Sequence, residues 1–400
     1  MNDIILAARV GRIKPSPTIA VSTRAKELRA EGRDIINLGS GEPDFDTPQH
    51  IKDAAAAAMR DGETKYTAVG GTPALKNAVR EKLRRENALQ YAPEQIIVST
   101  GAKHSLMNLM FAVLDAEDEV VIPAPYWVSY PDMALLADAR PVFVAADAAQ
   151  GYKITPRQLR DAISPKSKLL ILNSPSNPSG AMYSSDELAA LGEVVAANPR
   201  LLVATDDIYE HIRYDGRPFA NIVNVRPDLA DRVVVVNGVS KAYAMTGWRI
   251  GYAAGPERVI KAMTKIQSQG TSNPCSIAQA AAAAALDGGA ECVAPMLEAF
   301  ARRREIAREG LNAAPGIVCG EIAGAFYAFA DAREAIVSLH SAEKIPAADD
   351  LALCEYLLEK AEVAAVPGSA FGAPGCFRIS FATSDENLQN AVSRIQNALS

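Results

Sequence analysis

The stretch RVVVVNGVSKAYAMTGWRIGYAAG, residues 232–255, decides the reading of the fold. It opens on an unbroken β-branched run, and apolar residues without alternation mark a strand covered by helices on both faces. The run ends in small residues set around one lysine, Lys241. A solvated surface lysine needs no such setting. A lysine that bonds covalently to something would benefit from a rigid strand behind it and room around it.

Working outward, five more runs share the pattern: QIIVS (95–99), EVVIP (119–123), RPVFVA (140–145), KLLILN (168–173) and RLLVAT (200–205). Longer helical patterns lie between them, among them AKHSLMNLMFAVL and SSDELAALGEVVAA, the latter opening on capping residues. Strands alternating with helices predict a doubly wound, mostly parallel α/β sheet. The alanine runs in IKDAAAAAMR and IAQAAAAAALDGG read as packed helices rather than linkers, alanine being the best helix former.

Beyond residue 295 the pattern changes. A long charged helix, PMLEAFARRREIAREGLNAA, precedes the strand-like GAFYAFA, EVAAVPG and CFRISFA, with helical segments between, as in a smaller α+β domain. The expected division is a large domain over 48–295 and a small one over 296–400. The segment 1–47, ending in the Gly/Pro-rich LGSGEPDFDTP, is expected to pack with the small domain.

Composition narrows the function classes. The 400 residues are nearly half apolar and carry a formal charge of −6, with no basic stripe to hold nucleic acid. No apolar run approaches a membrane span and the opening residues lack a secretory signal pattern, so a soluble cytoplasmic protein is expected. Five scattered cysteines without a C-x-x-C pair fit reduced thiols better than disulfides or zinc ligands. His104 and His211 lack a ligand pattern, and no metal site is expected.

Ligands of open α/β sheets bind beyond the carboxyl ends of the strands. Those positions hold Thr100-Gly101-Ala102-Lys103, Pro125-Tyr126-Trp127, Asn173 to Gly180, Asp206 to Tyr209, and Lys241 with Arg249 eight residues on. The turn STGAKHSL leads from a strand into a helix start, whose free N–H groups favour an anion. It is neither a Walker loop nor the G-x-G-x-x-G of nicotinamide dehydrogenases, which the chain lacks elsewhere too. Asp206 at a strand end either caps a following helix or pairs with a buried cation. Taken singly, Trp127 and Tyr209 serve equally as core aromatics, Arg249 as a surface charge and Asn177 as a turn former.

The segment NGVSKAYAMTGWRIG closely resembles the lysine signature of the fold-type I aminotransferases that use pyridoxal 5′-phosphate (PLP). GEPDFDTP, TKYTAVGG, PAPYWVSYP, NSPSNPSG, TDDIYEH, GAFY and FRISFATS stand in that family's order across most of the chain. Within the family, the likeness is to bacterial aspartate aminotransferases of the subgroup that includes enzymes active on prephenate.

The resemblance implies roles position by position. Lys241 would bond covalently to PLP and later move a proton at the substrate Cα. Asp206 would pair with the pyridine nitrogen, Tyr209 and Asn177 would hydrogen-bond the ring phenolate, and Trp127 would stack on the ring. Arg249, with Gly101, Ala102, Lys103 and Ser240, would hold the phosphate, joined by Tyr66 of a neighbouring subunit in a homodimer. Arg378 would grip the substrate α-carboxylate, aided by Asn177, Trp127 and Gly41.

Two departures matter. Many relatives place a phosphate-binding serine where this chain has Gly238, leaving Ser240 as the candidate hydroxyl. The group that recognises a second substrate carboxylate varies among subgroups, and the charged candidates here are Lys103 and Lys14. The implied activity is a ping-pong amino-group exchange, with aspartate or glutamate as donor and 2-oxoglutarate or oxaloacetate as acceptor. Aromatic amino acids, prephenate, or a lyase reaction on the same lysine are the alternatives. A degenerate regulator would need a DNA-binding segment, and none precedes the catalytic pattern.

Overall fold

A computed structural model of the chain describes residues 4–214 and 216–400. Its largest sheet has seven strands: β1 (Ile96–Ser99), β2 (Glu119–Ala124), β3 (Arg140–Ala145), β4 (Ser167–Asn173), β5 (Leu202–Asp206), β6 (Val233–Gly238) and β7 (Gly251–Ala254). They lie in the order β1-β7-β6-β5-β4-β2-β3. Six of them match the runs expected from sequence. The seventh, β7, was not anticipated: GYAA has no β-branched residue, yet it inserts antiparallel between β1 and β6.

Apolar continuity in the strands reflects two-sided cover. Ile97, Val120, Val234 and Ala253 pack on one face with Leu106 and Met263, and Val98, Val121, Val233 and Val235 pack on the other. The edge strand β3 is the exception, with Phe143 half exposed. The alanine runs form helices Gln49–Arg60 and Ser276–Asp287, which pack against each other. Helix Ser185–Ala196 starts where expected, Ser184 and Glu187 exchanging the two hydrogen bonds of a capping box.

The later part of the chain builds an antiparallel sheet of β8 (Val318–Cys319), β9 (Tyr327–Asp331), β10 (Val366–Pro367) and β11 (Cys376–Ser380), in the order β10-β11-β9-β8. EVAAVPG, expected as one strand, is two. Val363–Ala364 pairs in parallel with Ile36–Asn37, and the chain then changes partner so that Val366–Pro367 pairs with β11. Leu38 continues the stitching, accepting from the Ser380 N–H at 2.7 Å. Helix Pro17–Ala30 lays Ala25 and Leu28 on Ile35 and Ala364.

Candidate active site

A cavity of about 270 Å³ opens at the carboxyl ends of β4, β5 and β6, with Tyr327 and Arg378 of the smaller sheet on its far wall. Parallel pairing sets Asn173 beside Asp206, and Asp206 beside Val236 at the end of β6. The strand register thus fixes the acid next to the loop that carries Lys241. Helix Ala102–Val113 begins one residue after Gly101, whose φ of 86° turns the chain out of β1.

Asp206 is buried. Its carboxylate accepts from the Tyr130 hydroxyl at 2.6 Å and from the Ile208 N–H at 3.4 Å. Burial pushes its carboxyl up to about 6, against the opposing pull of those two bonds and the Lys241 charge. Tyr130 stands edge-on to Trp127, ring centres 5.3 Å apart, and Lys103 Nζ lies 5.1 Å over the Trp127 ring.

Lys241 Nζ donates to the Gly41 carbonyl and has no ion-pair partner among the described residues. Burial pulls its ammonium down to about 8, only partly countered by Glu42 and Asp206. Arg378 is 1% exposed. Its two terminal nitrogens donate to Asn177 Oδ1 and the Gly39 carbonyl, each at 2.8 Å, while its Nε is buried with no partner among the described residues. The guanidinium lies between the Tyr327 and Phe371 rings, 4.5 and 5.0 Å from their centres. Burial lowers its pKa from the usual arginine value, with the Tyr327 and Tyr209 phenols opposing.

Arg249 occupies the left-handed region at φ 55° and donates to the Thr246 carbonyl at 2.7 Å. Packing around it leaves no space for side chains on the neighbouring glycines. A β-carbon on Gly101 would fall 2.4 Å from an Arg249 guanidinium nitrogen, and one on Gly251 would fall 2.1 Å from the Ala102 nitrogen. A β-carbon on Gly238 would lie 2.9 Å from the Ile250 carbonyl oxygen, so the serine that the family likeness leads one to expect there would need a backbone shift.

Of the residues singled out from sequence, Gly41, Ala102, Lys103, Trp127, Asn177, Asp206, Tyr209, Ser240, Lys241, Arg249 and Arg378 line this one cavity. Gly101 lies directly beneath Arg249. Lys14 does not line the cavity, and Tyr66 stands 91% exposed on the surface of the protomer. Sequence reasoning missed Tyr130 and Tyr327 as lining residues, along with Thr18 and Thr246. The signals were faint: Tyr130 follows Trp127 by three residues, and Tyr327 sits inside GAFY without a charge to mark it.

Behind the wall lies a buried polar network. Glu210 accepts from Lys82, from Asn87 Nδ2 at 2.6 Å and from Asn237 Nδ2 at 2.8 Å. His211 Nε2 is 2.8 Å from Glu86. Glu86, Glu210 and His211 bring ligand-type atoms within 4.8 Å of one another, but the Lys82 ammonium is buried among them. The group is an ion-pair network beneath the loop that carries Asp206 and Tyr209.

This fold and cavity define a class, and comparison with known proteins gives it a name. Residues 33–395 match the family "Aminotransferase class I and II", and the chain belongs to that family. It is an aminotransferase, with the mixed, mostly parallel sheet of fold type I. An aspartate/prephenate aminotransferase of Nitrosomonas europaea is 57% identical over 99% of this chain and 100% of its own length. An aspartate aminotransferase of Geobacillus stearothermophilus is 50% identical over 98% of each. Among solved structures, the aspartate aminotransferase of Rhizobium meliloti superposes with a TM-score of 0.94 at 47% identity, covering 99% of each chain. That of Thermus thermophilus with maleate gives 0.92 at 43%, covering 99% of this chain and 100% of the other.

Proposed function

We propose that this aminotransferase uses PLP and exchanges an amino group between aspartate or glutamate and 2-oxoglutarate or oxaloacetate by a ping-pong mechanism. One observation carries the reading: a lysine with no ion-pair partner among the described residues, a buried acid and a buried arginine, Lys241, Asp206 and Arg378, share one cavity.

The residues present fit PLP. The lack of side chains at Gly101 and Gly251 lets the Arg249 guanidinium and the Ala102 N–H come close to those turns, and a cation beside a helix start suits a phosphate. Trp127 would cover the ring, with Tyr209 and Asn177 toward its phenolic oxygen and Lys103 and Ser240 toward the phosphate. Burial disfavours the charge on Asp206, and a protonated ring nitrogen facing it would compensate that cost. When bound, PLP supplies an electron sink for the substrate Cα.

The chain's own groups then divide the work. Arg378 is fixed by Asn177 and Gly39, each taking one N–H of a terminal nitrogen, and the second N–H on those nitrogens would bind the substrate α-carboxylate and orient Cα. Lys241 would take the proton from Cα, and its lowered pKa brings the neutral amine within reach of neutral pH. Lys103 would meet a distal carboxylate; Lys14, the other candidate, is not among the residues lining the cavity. Names of the relatives support aspartate as donor and extend the acceptors to prephenate.

The reading includes a homodimer in which the exposed Tyr66 reaches the partner's phosphate site, and it assigns 1–47 to the small domain, 48–295 to the large one and 296–400 to the small one. Pairing of Ile36–Asn37 with Val363–Ala364 supports that assignment of the N-terminal segment. Unpaired cysteines support a reducing cytoplasm. No helix among the described residues is long and apolar enough to cross a membrane.

The test is direct. Supplied with PLP, the protein is expected to turn yellow, and borohydride should fix the adduct on the peptide containing Lys241. Lys241→Ala should lose both the colour and the turnover of aspartate with 2-oxoglutarate. A colourless wild type, or an adduct on another lysine, refutes the assignment.

A further inference from the structure

Tyr327 stands where the two walls of the cavity meet, and nothing in the roles above uses it. It lies on β9, and Phe329, two residues on, is directly opposite Arg378 of β11. Tyr327 and Arg378 are therefore diagonal neighbours on one face of the small sheet, which explains the guanidinium 4.5 Å over the Tyr327 ring. On its other side, the Tyr327 hydroxyl shares a 2.8 Å hydrogen bond with the hydroxyl of Tyr209, which follows β5 of the large sheet. Both phenols and the guanidinium are almost fully buried.

We propose that Tyr327 is a positioning residue that reports the state of Arg378 to Tyr209, so that filling the carboxylate clamp changes the hydrogen bond Tyr209 offers to the cofactor. The proposal rests on the PLP reading, in which Tyr209 directs its own proton toward the ring oxygen. That leaves Tyr327 as the donor to Tyr209. A positive Arg378 over its ring makes Tyr327 the stronger donor, which in turn strengthens Tyr209 as a donor. A carboxylate on Arg378 cancels part of that charge and weakens both links.

The electrostatics agree with the geometry. Burial raises the Tyr327 phenol, while Arg378 and the Tyr209 bond pull it back. Burial raises the Tyr209 phenol further still, with Tyr327 adding to the rise and Arg378 opposing it. The other charged groups facing the pair are Asp206, which raises Tyr209, and Lys241, which feels both Arg378 and Asp206. A route through Tyr327 is short, uninterrupted and shielded from water.

The experiment uses the holoenzyme and follows the pH titration of its visible band, with and without saturating maleate as a carboxylate probe. Tyr327→Phe keeps the ring under Arg378 and removes only the hydroxyl. Its midpoint without maleate is expected to rise by about half a pH unit or more. The displacement that maleate causes in wild type should shrink by about half, with maleate affinity changing less than about threefold. Tyr327→Leu, which removes the ring as well, should lose maleate affinity by about tenfold. In a Tyr209→Phe background, Tyr327→Phe should add no further displacement.

If Tyr327→Phe titrates like wild type in both conditions, or its effect adds fully to that of Tyr209→Phe, the relay is overturned while the PLP reading stands. If wild type binds no chromophore, the PLP reading itself has failed.

Discussion

The Tyr130 hydroxyl donates to the Asp206 carboxylate across 2.6 Å, tying the acid at the end of β5 to the helix that follows Trp127. Burial works to protonate Asp206, and this bond is the strongest force opposing it. Tyr130 thus keeps the acid in the form a protonated ring nitrogen needs. Removing the hydroxyl with Tyr130→Phe is expected to lower kcat by about tenfold to a hundredfold, the size of one hydrogen bond to a charged group. Steady-state rates at saturating substrate check this; an unchanged kcat would show that Tyr130 only packs.

Asp206 also predicts a pH dependence of the cofactor-free protein. Its folded value of about 6 lies above the ordinary 3.8, so the stability it contributes is present below about pH 3.8 and lost as pH rises through 6. Asp206→Asn should therefore stabilise the cofactor-free protein at pH 8 by up to about 3 kcal/mol, with the gain vanishing near pH 4. Thermal unfolding across pH reads this out, and the same variant should be nearly inactive when loaded.

The Lys82–Glu210 pair is buried on both sides. Lys82→Met leaves the Glu210 carboxylate without its ammonium and should cost about 3–5 kcal/mol, while Glu210→Gln leaves Lys82 facing Glu86 at 3.7 Å and should cost less. Together they remove both charges and keep an acceptor oxygen for one of the two amides, of Asn87 and Asn237, so the double variant should lose less than the sum by more than about 1 kcal/mol. Urea unfolding of the three variants measures the coupling; strict additivity would mean the ammonium and carboxylate do not depend on each other.

Lys103 tests substrate choice. Held over Trp127 and depressed by burial and by Arg249, it lines the cavity together with the cations Arg249, Arg378 and Lys241. Lys103→Ala should reduce kcat/KM for aspartate by about tenfold or more and for an aromatic amino acid by less than about threefold. Equal losses for both would move Lys103 to the phosphate alone.

The strands were legible because burial on both faces writes itself as uninterrupted Val, Ile and Leu, and helix starts because Ser184 and Glu187 carry a local signature. Strand β7 was not, since Tyr252 is its one strand-forming residue and Gly251 is there for its small size beside Ala102. Gathering of Lys241, Asp206 and Arg378 at one cavity followed from strand ends and the family likeness. Tyr130 and Tyr327 escaped because their importance lies in partners 76 and 118 residues away along the chain, which no local pattern encodes. The change of partner at Ala365 was invisible for the same reason: Val363 answers to Ile36, and Val366 to Arg378.

That last pairing sets a schedule for biosynthesis. Ile36 leaves the ribosome tens of seconds before Val363 at ordinary elongation rates of about 5–20 residues per second. Throughout that interval Ile35, Ile36 and Leu38 have no strand to lie against. The beginning of this polypeptide must wait, greasy and unpaired, for nearly all of its successors, and a nascent-chain chaperone has its longest opportunity there.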